Sequence, residues 1–235
     1  MVKKNSWLLC ALLLLVLIAA FTFPSFYASG DEYSYVRATS SLLKGQIVED
    51  NIYYSAGAVK VEGGFVPNVS INFPIFLMPF LLFGFTFIFI YGIFFHLLNT
   101  IIFSFLLKEF KISQKFIFLY AFFPALFWLS RTIYPQTLAI TFLLAGFLVY
   151  VKASKLNLSK VKKISLLFIT GVLFGFAVFI RPDISILIFL FCLVVLIKKK
   201  LLVLPIVAGG IIPALILLYT NSLQFGSAVS TAYGY

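Results

Sequence analysis

The chain is 235 residues long, carries a formal net charge of +11, and is 63% hydrophobic and 11% charged. Soluble domains run about 45–50% apolar and about 25% charged, so a soluble globular protein is excluded, as are a disordered chain, a collagen and a disulfide scaffold. A mean hydropathy of +1.12 with thirty Phe and twelve Tyr describes an integral membrane protein. At roughly 20 residues per crossing, little is left for a separate soluble domain.

Lys3 and Lys4 precede an uncharged apolar run over 7–27. The run is longer than a signal-peptide core, and Phe23-Pro24-Ser25-Phe26 lacks the small residues of a cleavage site, so a retained first span is predicted. Residues 28–73 are polar and hold Asp31, Glu32, Glu49, Asp50 and Glu62, five of the seven acids. Within them, 33–43 reads as an amphipathic interfacial helix with Tyr35, Ala38 and Leu42 on one face. It ends at Lys44-Gly45, a glycine just past a helix terminus.

The next apolar run, 74–107, is too long for one straight span and is punctuated by Pro74, Pro79 and Gly84. It divides into a short interfacial or re-entrant helix over 74–83 and a second span over 85–107. Charge punctuation then gives spans at 116–134, 136–151, 164–180, 184–197 and 201–219. Pro124, Pro205 and Pro213 fall inside spans, where neighbours must take up the freed backbone groups. The expected fold is all-α: one membrane domain over 1–235, about seven transmembrane helices, and an outer first loop, 28–84, carrying short interfacial helices.

Thirteen lysines (at 3, 4, 108, 111, 115, 152, 155, 160, 162, 163, 198, 199 and 200) fall on one side of this arrangement. By the positive-inside rule that side is cytoplasmic, which puts the N-terminus inside and the C-terminus outside a multi-pass cell-membrane protein. The basic excess is thus a topology signal. No basic patch interleaved with stacking aromatics points to nucleic acid. Cys10 and Cys192 lie in apolar runs and behave as small hydrophobes. His96 is the single histidine, so no histidine metal triad forms, and a helix-contact role is expected. No glycine-rich phosphate loop, HExxH, CxxC pair or GxSxG occurs. Asn68-Val69-Ser70 fits a glycosylation sequon.

The outer side holds the polar groups that need a reason. Asp31 and Glu32 follow the first span directly. Two adjacent carboxylates at a membrane boundary suit a general base or a metal ligand; a helix N-cap at Asp31 with Glu32 in the first turn is the plain alternative. Arg131 and Arg181-Pro182-Asp183 sit at outer span ends. A guanidinium there suits bidentate contact with phosphate oxygens, or, for Arg181, a local pair with Asp183.

In order along the chain, several segments build a resemblance: Gly30-Asp31-Glu32-Tyr33-Ser34-Tyr35 with Ala38, Leu42 and Gly45; Asn72-Phe73-Pro74; Tyr134-Pro135-Gln136; Gly171, Gly175 and Arg181-Pro182-Asp183; and Asn221, Phe225-Gly226-Ser227 and Tyr233-Gly234-Tyr235. The chain resembles the C-type (GT-C) membrane glycosyltransferases, in particular the protein O-mannosyltransferase and aminoarabinose-transferase branch. That resemblance implies inverting transfer of a sugar from a polyprenyl-phosphate donor at the outer face. It implies Asp31, with Glu32 beside it, as the catalytic carboxylates, and Arg131, Arg181 and Lys60 as contacts to the donor phosphate. Part of the family uses a divalent metal; the outer loop here lacks Asp-x-Asp, so an obligatory ion is not expected, while a divalent metal stays open and no other cofactor is implied. Family members continue past the seventh helix, so the likeness covers their N-terminal module and implies a partner chain for the remainder, a truncated product or a degenerate relative. The competing expectation is a non-catalytic scaffold or subunit, or a carrier of lipid-linked substrates.

Overall fold

The computed structural model describes residues 6–24, 27–48, 58–61, 63–155 and 157–230, without the side chains of residues 199 and 200. Lys3, Lys4, Ser25, Phe26, Glu49, Asp50, Glu62 and Tyr233-Gly234-Tyr235 lie outside the described residues.

Helices dominate. They are α1 (Ser6–Phe21), α2 (Gly30–Leu43), α3 (Pro74–Leu82), α4 (Ile90–Glu109), α5 (Ile117–Ala121), α6 (Pro124–Leu129), α7 (Pro135–Lys155), α8 (Lys160–Ile180), α9 (Ser185–Lys199) and α10 (Val203–Phe225). Among the described residues, four helical stretches are long and apolar enough to cross a membrane: Phe85–Glu109, Pro135–Lys155, Lys160–Ile180 and Val203–Phe225. The α1 helix is a shorter apolar helix. The expected third span is broken into α5 and α6. Phe123 takes an extended conformation (φ −60°, ψ 122°) before Pro124, because proline disfavours the helical region for the residue preceding it and has no N–H to continue the ladder.

One departure from an all-α chain is an antiparallel hairpin, β1 (Ala58–Val61) with β2 (Gly64–Pro67), in register Lys60↔Phe65 and Val61↔Gly64. Gly63 turns it at φ +89°, where a side chain would be strained.

The chain forms two compact units. One comprises Met1–Phe23, Gly92–Arg131 and Pro135–Ala214. Its core packs Leu167 and Phe174 of α8 with Ala153, Val195, Val203 and Ile206. The approach of α8 to α10 is set by glycines: a Cβ at Gly171 would stand 1.9 Å from the Ile206 carbonyl oxygen, and one at Gly209 would stand 2.1 Å from that of Phe168. A second cluster joins Ala11 and Leu15 of α1 to Leu107, Ile117 and Ala121. His96 is buried on α4, and its Nε2 donates to the Ala121 carbonyl at 2.9 Å. This is the helix-contact role its isolation suggested.

The other unit comprises Pro24–Tyr91, Thr132–Tyr134 and Leu215–Tyr235. Here Gln224 near the end of α10 is 1% exposed and works as a double clasp. Its Oε1 accepts from the Ile71 amide at 3.0 Å, and its Nε2 donates to the Val69 carbonyl at 2.8 Å. Thr220 donates to Asn72 Oδ1 at 2.6 Å. These bonds fix the segment that leads from the hairpin into α3, in which Asn68 of the sequon is exposed.

Candidate functional site

The start of α2 is built around Ser29, which is the N-cap in an extended conformation (φ −155°, ψ 165°). Its Oγ accepts from the Glu32 amide at 3.3 Å and from the Tyr134 hydroxyl at 2.8 Å. The cap is therefore Ser29 rather than Asp31. Ser29-Gly30-Asp31-Glu32 is the S-x-x-E capping pattern, a signal the sequence carries in plain view. Serine supplies the cap because its short side chain reaches the third helical amide.

Glu32 completes the arrangement in an unexpected way. It is 2% exposed. Its Oε1 accepts from the Ile133 amide at 2.7 Å, and its Oε2 accepts from the Ala28 amide. Both oxygens of an acceptor-only group are thus occupied by backbone donors. The Tyr91 hydroxyl donates to the Tyr134 carbonyl at 3.4 Å, tying the 132–134 segment further into the same unit. Asp31, one residue away, is exposed, with no hydrogen bond or ion pair among the described residues. The two carboxylates that look alike in sequence therefore differ in environment.

Aromatic rings surround this turn. Tyr27 meets Tyr33 at 5.9 Å, Phe85 at 5.6 Å and Phe89 at 5.8 Å. Lys60 is exposed on β1.

The two arginines belong to the first unit described, whereas Asp31, Glu32 and Lys60 belong to the second. Arg131 Nη2 donates to the Thr22 carbonyl just past α1. Its Nε is buried without a hydrogen-bond partner, and no acidic side chain pairs with it among the described residues. Arg181 is differently placed: Nε and Nη2 fork onto the Asp183 carboxylate at 2.8 and 2.7 Å. That guanidinium holds the Asp183 carboxyl below the usual carboxylate range.

No cluster of three or more His, Cys, Asp or Glu able to hold a metal occurs among the described residues. At the start of α2, both Glu32 oxygens accept backbone amides, and Asp31 is the exposed carboxylate beside them. Ser29 and the Ile133 amide were not singled out from the sequence, and Tyr134 entered only through the Tyr134-Pro135-Gln136 segment of the resemblance, not as a site residue. Only Ser29 had a local signal; the other two reach the site from about a hundred residues away. Compared with family models, curated proteins and solved structures, the chain matches none.

Proposed function

We propose that the chain is a membrane glycosyltransferase of the C type, or the N-terminal module of one. It transfers a sugar from a polyprenyl-phosphate donor to an acceptor hydroxyl at the outer face of the cell membrane. The proposed topology has seven spans, with the N-terminus inside and the C-terminus outside. The observation that carries this reading is the asymmetry at the start of α2: Glu32 is buried with both oxygens accepting backbone amides, while the Asp31 side chain is exposed and has no partner among the described residues. In this reading Asp31 takes the acceptor proton as the acceptor oxygen bonds to the sugar anomeric carbon from the face opposite the phosphate. The carbon–oxygen bond to phosphate breaks, the electron pair leaves with the polyprenyl phosphate, and the anomeric configuration inverts. Arg131, with no acidic partner among the described residues, is one candidate contact to the donor phosphate, where a guanidinium offers forked donors. Arg181 and Lys60 are further candidates for that contact.

Asp31→Asn tests the reading because it retains shape and hydrogen bonding but removes basicity. Transfer from a polyprenyl-phosphate sugar is expected to fall roughly 10²–10⁴-fold, the usual contribution of a general base, with membrane insertion intact. A near wild-type rate would remove Asp31 from the chemistry.

A second reading, a carrier of lipid-linked substrate, draws on α4. That helix buries His96, Asn99, Thr100 and Ser104. Asn99 Oδ1 and the nearby Tyr120 hydroxyl have no hydrogen-bond partner among the described residues. Buried polar groups in membrane helices often mark transport paths. In a carrier, Asn99→Leu stops lipid-linked substrate crossing vesicle membranes and Asp31→Asn does not.

A further inference from the structure

We propose that Glu32 is a positioning residue: its carboxylate clamps the start of α2 and thereby holds Asp31 in its working orientation. The proposal rests on the reading of Asp31 as the base. The catalytic resemblance puts Asp31 and Glu32 forward together; geometry separates them. A base must reach the proton it takes, whereas Glu32 is 2% exposed and both of its oxygens already accept backbone amides.

The clamp works from both sides of the helix start. Ala28 precedes the Ser29 cap, and its amide is bound by Oε2. Ile133 belongs to a three-residue segment, Thr132–Tyr134, that packs with residues 24–91 although the chain on either side of it belongs elsewhere. The Ile133 amide is bound by Oε1 at 2.7 Å, and the Tyr134 hydroxyl reaches Ser29 itself at 2.8 Å. Residues 28–32 are thus held at three points: at Ala28, at Ser29 and through the Glu32 side chain. The second helical residue, Asp31, lies between these anchors with its side chain exposed. No basic side chain pairs with Glu32 among the described residues. Its charge faces the amides of the helix start instead, the end of the macrodipole that favours an anion. A glutamate is required for both contacts, since an amide would place N–H against N–H at one of them.

The test uses the full chain in lipid nanodiscs, labelled with 15N at Ala and Ile. In Glu32→Gln, amide exchange at Ala28 or Ile133 is expected to accelerate roughly tenfold or more, the loss of one charge-assisted bond. In the transfer assay kcat falls while KM for the donor is unchanged. Formate, a small exogenous carboxylate, separates positioning from proton transfer: it restores rate to Asp31→Ala, which has lost its base, and not to Glu32→Ala. Unaltered exchange at both amides in Glu32→Gln overturns the clamp. Formate rescue of Glu32→Ala overturns the positioning role and makes Glu32 the base. Should Glu32→Gln fail to insert, Glu32→Asp withdraws the carboxylate by one methylene from the same two amides, and faster exchange at Ala28 or Ile133 is expected there; unaltered exchange at both again overturns the clamp. Absence of transfer in the wild type, with the exchange result as expected, defeats the enzyme reading and leaves the clamp standing.

Discussion

Arg131 and Arg181 carry the same charge in different company, and their consequences for stability differ accordingly. Arg181 forks onto Asp183, whose side chain is 63% exposed. Exposed pairs contribute about 0.2–1 kcal/mol. The Asp183 carboxyl is depressed in the folded protein, so its contribution is fully present above the ordinary value of 3.8 and is lost as pH falls through the lower folded value. Asp183→Asn is therefore expected to cost no more than about 1 kcal/mol at pH 7, and to cost nothing once the medium is acid enough to protonate the wild-type residue. Thermal unfolding of both proteins in detergent at pH 7 and near pH 2 checks this; a penalty that persists unchanged in acid refutes the ionic origin. The Arg181–Asp183 pair could be foreseen because its partners are two residues apart. The inequality of Asp31 and Glu32 could not, because the burial of Glu32 depends on a backbone amide 101 residues away. No local pattern encodes that contact.

At the level of elements, apolar runs foretold where helices lie, and glycine and proline foretold where they stop. The Lys44-Gly45 terminus is realised as a Schellman turn: Gly45 has φ +74°, and the Gln46 amide bonds back to the Ser41 carbonyl at 2.9 Å. The same turn closes α4 with Lys111 at φ 58°, and no glycine announces it. The hairpin over 58–67 carries a turn signal, Gly63-Gly64 between valine-rich segments, but its polar surroundings read as loop. What the sequence could not rank is the glycines of α8 and α10, since a close approach depends on which faces meet. Gly171→Ala drives a methyl into the Ile206 carbonyl and Gly209→Ala drives one into that of Phe168, both rigid backbone. Each is expected to destabilise by about 1–3 kcal/mol or more, the range for overpacked interiors. Gly210 is the internal control. Its Cβ would stand 3.6 Å from the Gly171 oxygen, an ordinary contact, and Ala gains about 0.5–1 kcal/mol over Gly within a helix. Gly210→Ala is thus expected to be neutral or stabilising. Unfolding titrations in mixed micelles that rank the three variants in any other order would contradict the observed helix approach.

For the whole molecule, the number of crossings is the property on which the proposed topology turns. Four helical stretches are long and apolar enough to cross; α1 and α9, with 16 and 15 residues, reach only about 22–24 Å at 1.5 Å per residue, against a hydrocarbon core of about 30 Å. Charge placement weighs against stopping at four. If α4, α7, α8 and α10 alone crossed, the lysines at 108, 111 and 115 would lie opposite those at 152, 155, 160, 162 and 163, and the basic residues would be divided between the two faces. If α1, α5 with α6, and α9 cross as well, all thirteen lysines share a face, as the positive-inside rule favours. The short helices then cross through local thinning of the bilayer or among neighbouring helices, each at a modest cost. The two arrangements differ in one measurable respect. In a background with Cys10 and Cys192 replaced by serine, single cysteines at positions 50 and 158 lie on opposite sides with seven crossings, because α4, the α5–α6 pair and α7 intervene. With four crossings only α4 and α7 intervene, and both positions lie on the same side. Labelling of sealed vesicles with a membrane-impermeant maleimide, before and after permeabilisation, is expected to find position 50 outside and position 158 inside. Same-side labelling would return the chain to four crossings and take the proposed outer-face location of Asp31 with it.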